Sequence, residues 1–260
     1  LSAVGPAMGK GDLNGDGLED IFLGGGQGQP AQVYFQVKNR GFVATASAVF
    51  ENDKTSVDTD VLIFDANKDG HPDLYVSSGG YHLFESDDPA LQDRLYLNDG
   101  SGGFKKEVLP SMYTSTSTAV NLDLNGDGFD DLFVAGRIIP GKYPESPKSY
   151  LLINDGTGKF VDKTTAFAED LAKIGMVTDA VAADLNGDGK SELVVVGDWM
   201  SINVFESMGG VLKNVSGQYF ERELSGLWNV IETGDLNKDG VPDLVVGNMG
   251  ENMQFKVSDE

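Results

Sequence analysis

One nine-residue phrase occurs five times in this chain of 260 residues and constrains its fold more than any other feature. It reads Asp-x-Asn-x-Asp-Gly-x-x-Asp at Asp12–Asp20, Asp65–Asp73, Asp123–Asp131 and Asp235–Asp243, and closes on Glu at Asp184–Glu192. Oxygen-bearing side chains stand at positions one, three, five and nine, and a glycine follows the third of them. A single copy would pass for an ordinary turn in which Asn and Asp bond their own backbone. Five copies in register imply a repeated supersecondary unit.

Alternating oxygens on a tightly turning backbone suit a hard cation, and Ca²⁺ takes six to eight of them. The candidate ligands are Asp12, Asn14, Asp16 and Asp20; Asp65, Asn67, Asp69 and Asp73; Asp123, Asn125, Asp127 and Asp131; Asp184, Asn186, Asp188 and Glu192; and Asp235, Asn237, Asp239 and Asp243. The carbonyl of position seven is the natural additional donor, from Leu18, His71, Phe129, Lys190 and Val241. Gly17, Gly70, Gly128, Gly189 and Gly240 supply the backbone freedom for the turn. The expectation is about five Ca²⁺, one per loop. An EF-hand opens the same way, but it needs a bidentate Glu at position twelve before an exiting helix. That position holds Leu23, Val76, Val134, Val195 and Val246, each inside a short β-like run, so these loops feed strands.

The net charge of −22 excludes a nucleic-acid binder, which needs a basic face, and disfavours docking on anionic lipid. Each loop carries three carboxylates at its ligand positions; five Ca²⁺ would add ten positive charges and take −22 to −12. An apolar content of 40% allows a real core, and 34 glycines favour a turn-rich all-β chain. There is no cysteine and no stretch long enough for a membrane span. The start at Leu1, without a signal peptide, reads as a processed or excised piece of a longer parent, with room for further domains. Extracellular calcium modules bind at about 10⁻⁴ to 10⁻³ M. Sites of that kind fill outside cells, which points to a secreted or bacterial cell-surface protein.

The loops are spaced by 53, 58, 61 and 51 residues. The fourth unit shows the plan most plainly, with apolar runs at Val177–Ala183, Leu193–Gly197, Ile202–Glu206 and Val211–Ser216. Four antiparallel strands per repeat of this length make a β-propeller blade. The run after each loop is almost wholly apolar, as for a strand covered on both faces, although pattern alone leaves an ordinary sandwich strand open. Asn98-Asp99-Gly100 and Asn154-Asp155-Gly156 read as hairpin turns between third and fourth strands. The expected architecture is all-β: one propeller domain over residues 1–260, with repeats near 1–50, 51–110, 111–168, 169–222 and 223–260. The fifth repeat is incomplete, with a third strand expected at Met253–Val257 and no fourth.

These loops, each followed by a Leu- or Ile-led strand and then an Asn-x-Gly-x-Gly-x-Phe type turn, resemble FG-GAP/VCBS repeats over essentially the whole chain. Such repeats are the calcium-binding blades of integrin α-subunits and of many secreted bacterial proteins. The stretch from Asp131 to Tyr150 looks like VCBS-repeat proteins of Bacteroidetes-type bacteria, the group associated with ASPIC/UnbV domains. No such extra domain is found here. The resemblance implies a ring of about seven blades, so five loops leave blade number and closure open.

Strand alternation puts the calcium loops and the Asn-Asp-Gly turns at one end of every blade. The longest connections, Ser78–Asp93 and Arg137–Ser149, fall at the other end. They carry Tyr81, His82 and Phe84, and Arg137, Lys142 and Tyr143. Trp199 and Trp228 are read into connections at that same end. These eight residues are the candidate ligand-binding set; the alternatives are blade packing for the tryptophans and plain solvated loops for the rest. Catalysis has little to work with. The histidines are His71, inside a calcium loop, and His82, and no nucleophile elbow, zinc pattern or phosphate loop occurs. Glu85, Asp87 and Asp88 read either as an acidic loop or as a glycosidase carboxylate pair. The leading expectation is an extracellular, calcium-stabilised binding or adhesion module for a glycan or protein. A calcium-dependent lyase or hydrolase is the competing one.

Overall fold

The structure, a computed structural model, describes residues 6–45, 47–81 and 83–250. His82 and the strand expected at Met253–Val257 lie outside the described residues, as do both chain ends.

The chain is all-β, built from four-stranded antiparallel sheets in sequential order. The first sheet holds β1 (Met8–Gly11), β2 (Asp20–Leu23), β3 (Gln32–Val37) and β4 (Gly41–Thr45). The second holds β5 (Asp58–Phe64), β6 (Asp73–Ser78), β7 (Arg94–Asn98) and β8 (Phe104–Glu107). The third holds β9 (Ser115–Leu122), β10 (Asp131–Ile138), β11 (Tyr150–Asn154) and β12 (Phe160–Asp162). The fourth holds β13 (Met176–Ala183), β14 (Glu192–Ser201), β15 (Asn203–Met208) and β16 (Val211–Asn214). β17 (Ser225–Gly234) and β18 (Asp243–Asn248) begin a fifth. The first strands of successive sheets lie next to one another, so the sheets fan out side by side like propeller blades.

The second strand of each inner sheet is sandwiched, and its residues alternate between two neighbours. Leu74 and Val76 pack towards the first sheet with Phe22 and Val33, whereas Tyr75 packs towards the third with Leu132 and Val134. Phe133 turns to the fourth sheet, against Leu193 and Val195, while Val194 and Val196 face Ile231 of β17. This is why the run after each loop is apolar without alternation: both faces of the strand are interior. The core is therefore a series of slabs between sheets.

The end sheets differ for the same reason. Val245 holds the place of Phe22, Tyr75, Phe133 and Val194, all buried, yet it is 51% exposed. Leu236 is 69% exposed where Leu13, Ala66 and Leu124 are buried. No described sheet covers that side of β17 and β18.

The fourth and fifth units are not separate blades of four strands each. β14 runs past its ladder with β15, which ends at Val195↔Asn203, and pairs its last residues with β17 at Asp198↔Leu227, Met200↔Gly226 and Ser201↔Ser225. A six-stranded set results. Trp228 and Trp199 therefore lie on strands and not in the connections where sequence alone placed them, and Arg137 likewise lies on β10. Apolar content marks the middle of a strand better than its ends.

Candidate metal centres

All five loops connect the first strand of a sheet to the second: 12–19, 65–72, 123–130, 184–191 and 235–242. They fold alike. The position-one carboxylate accepts the amide of the position-six glycine, from Gly17 to Asp12 at 2.8 Å, Gly70 to Asp65 at 2.9 Å, Gly128 to Asp123 at 2.8 Å, Gly189 to Asp184 at 2.8 Å and Gly240 to Asp235 at 3.0 Å. The position-five carboxylate accepts the position-seven amide, from Leu18, His71, Phe129, Lys190 and Val241. In the first loop the amide of Asp16 is shared between Asp12 Oδ1 at 3.1 Å and Asn14 Oδ1 at 3.0 Å, so these two oxygens converge on one atom. The second, fourth and fifth loops repeat this sharing at Asp69, Asp188 and Asp239. The Gly17 amide, joined by others, holds the Asp12 carboxyl below the usual range, so it stays ionised.

Position nine behaves differently from its three partners. Asp20, Asp73, Asp131 and Glu192 are fully buried. Asp131 accepts Leu124 N at 3.0 Å and Asn154 N at 2.8 Å, tying the start of its loop to the third strand. Asp73 does the same with Ala66 N and Asn98 N, and Asp20 with Leu13 N and Gln36 N. Burial pushes Asp73 and Asp131 up to about 6. Glu192, one methylene longer, accepts Leu185 N at 2.7 Å and draws the Asn186 amide to itself at 2.9 Å. In the other four loops that amide meets the position-five carboxylate.

The donor set at each loop tip is thus two carboxylates and one carboxamide, all offering oxygen and none of them buried, which fits a hard cation in chemistry. Among the described residues no three Asp, Glu, His or Cys side chains come together as a metal cluster. The position-nine carboxylate is held back by the backbone.

Three features of the loops were not read from the sequence. Position four is left-handed in every loop: Gly15, Gly126 and Gly187, but also Lys68 at φ 57° and Lys238 at φ 66°. Three glycines at that position were the available signal. The asparagine opening each hairpin turn joins sheets: Asn98 Nδ2 donates to the Leu13 carbonyl at 3.0 Å, and Asn154 Nδ2 to that of Ala66 at 2.8 Å. Ser207, at the matching place in β15, donates to the Leu124 carbonyl at 2.6 Å. Each of the first three loops is thereby held by the sheet that follows it. The hairpin glycines are seats for side chains. A Cβ on Gly100 would strike His71 at 2.3 Å and one on Gly102 would strike Phe35 at 2.3 Å. Gly156 and Gly158 stand likewise under Phe129 and Leu97.

At the opposite end, the ligand-binding candidates do not form one cluster. Tyr81 and Phe84 sit in the connection after β6, where the Phe84 ring covers Gly80. Asp88 caps the turn at Pro89–Leu91 by accepting Ala90 N at 2.9 Å. Trp228 is part of the slab between the fourth and fifth sheets and donates Nε1 to the Leu224 carbonyl at 3.1 Å. Lys142 lies in the turn that carries Tyr143, donating its amide to Ile139 O. Tyr143 and Trp199 do come together, and Arg137 is tied to the residue before Trp199. Arg137 Nη2 pairs with Asp198 Oδ2 at 2.7 Å, and Trp199 Nε1 donates to Tyr143 Oη at 2.9 Å.

Solved structures similar to this chain share little of its sequence. It aligns over 95% of its length with a chain of the Photorhabdus luminescens Tc holotoxin pore, at 16% identity and a TM-score of 0.44, spanning 11% of that chain. It aligns over 95% with BBS1N from a complex with ARL6DN, at 12% identity and a TM-score of 0.48, spanning 76% of that chain. It aligns over 94% with the V. cholerae biofilm matrix protein Bap1, at 19% identity and a TM-score of 0.44, spanning 34% of that chain. No curated protein sequence matches it. Residues 12–76, 123–195 and 184–246 match the FG-GAP-like repeat. Those segments run from loop to loop and take in more than half of the chain, which therefore belongs to the FG-GAP-like repeat family.

Proposed function

We propose that this chain is an extracellular, calcium-stabilised binding module that recognises a glycan or a protein with the face opposite its loops. One observation carries the reading: all five loops present oxygen donors at one end of their sheets, while the long connections at 79–93 and 139–149 project from the other. Asp12, Asn14 and Asp16, with their counterparts in the other loops, would hold Ca²⁺. The ion would relieve repulsion among carboxylates that now lean on backbone amides. Filling such sites at about 10⁻⁴ to 10⁻³ M fits secretion. The stretch from Asp131 to Tyr150 supports a place among secreted bacterial VCBS-repeat proteins. Binding is favoured over catalysis because two charged groups of the far face are already engaged, Arg137 by Asp198 and Asp88 by its turn.

Thermal unfolding in excess Ca²⁺ and in chelator tests the metal reading. A midpoint unmoved by chelator sinks it. An array of glycans and extracellular matrix proteins tests recognition, and a protein that captures none of them is not a binding module of this kind.

A further inference from the structure

The outer strand of a sheet presents a row of backbone groups without a ladder, which invites another strand unless charge guards it. Phe42, Phe104, Phe160 and Leu212 hold the same place in the four ladders that join third strand to fourth. The two residues after each are Lys105 and Lys106 in β8, Val161 and Asp162 in β12, and Lys213 and Asn214 in β16. In β4 they are Val43 and Ala44. β4 reads Gly41-Phe42-Val43-Ala44-Thr45, carries no charge, and is the one described strand in which every residue is exposed. Phe42 is 47% and Val43 54% exposed. No described strand pairs with its outer edge. Its setting is equally distinct. Residues 21–50 contain none of the 41 acidic residues of the chain, and their charges are Lys38 and Arg40, in the turn that leads into β4.

We propose that β4 is the docking edge for a second copy of this chain, whose own β4 adds to it antiparallel about a two-fold axis at Val43. Such a contact is isologous, the same patch meeting itself. It sets Val43 against Val43 and Phe42 against Ala44, a large side chain beside a small one. Main-chain hydrogen bonds supply the attraction, as in other strand additions. The charge distribution favours this occupant. Two chains of −22 repel over most of their surface, and the acid-free stretch is where they can meet. In this register Arg40 of one copy and Arg40 of the other stand six residues apart along the ladder, about 20 Å, well beyond the screening length of physiological salt. An acidic partner strand would call for cations on β4 itself, which has none. Such a dimer does not depend on what the far face binds.

Sedimentation of the full chain from low to high micromolar, in Ca²⁺ and in chelator, is expected to show the mass doubling as concentration rises. A chain that stays monomeric throughout overturns the proposal. Val43→Lys sets two ammonium groups face to face at the axis and should weaken association by about tenfold or more, with the melting temperature unchanged because the side chain is exposed. The same change at Val161, 52% exposed on β12, should leave association as it was. Both variants are less negative than the parent, so a general charge effect would strengthen association. Dimers that survive Val43→Lys, or that weaken equally with Val161→Lys, overturn the proposal. The chain has no cysteine, so a single introduced thiol reports the register. Val43→Cys should cross-link on oxidation, since directly opposed Cβ atoms stand about 4.5–5.5 Å apart, near disulfide reach. Thr45→Cys, about 13 Å from its counterpart in this register, should not. Equal cross-linking of the two variants overturns the pairing about Val43.

Discussion

The Nδ2 of Asn154 donates to the carbonyl of Ala66, 88 residues earlier, at 2.8 Å, and also to Asp130 O at 3.0 Å. One buried carboxamide therefore ties the loop of the second sheet to the loop of the third. Asn98 makes the matching pair with Leu13 O and Pro72 O. Removing the donor strands two carbonyls away from water, at about 1–3 kcal/mol each. We predict that Asn154→Ala lowers unfolding free energy by about 2–4 kcal/mol in urea titrations. A loss below about 1 kcal/mol would mean that the sheets are held by packing alone.

Positions five and nine of a loop look alike in sequence but should respond oppositely to metal. Asp131 is buried and satisfies two amides, so Asp131→Ala should destabilise by about 2–5 kcal/mol with or without Ca²⁺. Asp127 is exposed at the loop tip. Asp127→Ala should leave the chelated protein nearly unchanged and remove one loop's share of calcium stabilisation, about 2.7 kcal/mol at a hundredfold excess over Kd. Urea titrations of both variants in Ca²⁺ and in chelator give the comparison. Equal losses in chelator would end the distinction.

Lys68 and Lys238 occupy the left-handed fourth position that is glycine in the other three loops. Only Lys68 is compensated: its Nζ donates to Gly128 O in the next loop and lies 5.0 Å from the centroid of Phe129. Lys238 makes no such contact with a described residue. Lys238→Gly should therefore stabilise by about 0.5–1 kcal/mol, strain relief outweighing the added freedom of the unfolded chain. Lys68→Gly should be neutral or worse. Equal gains, measured by thermal unfolding in chelator, would show that the bridge between loops contributes nothing.

Much of the fold could be read because a loop fixed in spacing marks where each first strand ends and second begins. The Asp-Gly hairpins were equally plain. Other features escaped for physical reasons. Spacing cannot say whether a carboxylate faces an ion or an amide, so Asp131 and Asp127 read alike. The partner of Asn98 is 85 residues away, beyond any local pattern. A bulge leaves no mark in composition, which is why Trp199, between Asp198 and Met200 at the register shift of β14, was read as a loop residue. Arg137 and Trp228 were read into connections because strands here run beyond their apolar centres.

Asp93 should make stability depend on pH away from the loops. Its carboxyl is buried and accepts Ser78 N at 2.7 Å, Tyr75 Oη at 2.9 Å and Thr116 Oγ1 at 2.9 Å. Burial pushes it up to about 7, only partly offset by these donors and by Arg94, whose guanidinium is paired with Asp58 at 2.7 Å. A carboxyl raised on folding binds its proton more tightly in the native state. Its contribution is then full below the unfolded value near 3.8 and is lost as pH rises to about 7. A carboxamide in its place would resemble the protonated form, accepting from Ser78 and donating to a hydroxyl. We predict that Asp93→Asn matches the wild type near pH 4 and exceeds it above pH 7 by a few kcal/mol, on the order of the shift. Urea midpoints of both proteins, taken in chelator from about pH 4 to 8, isolate this group because the loops are common to both. Parallel curves would mean that the three donors and Arg94 fully compensate the buried charge.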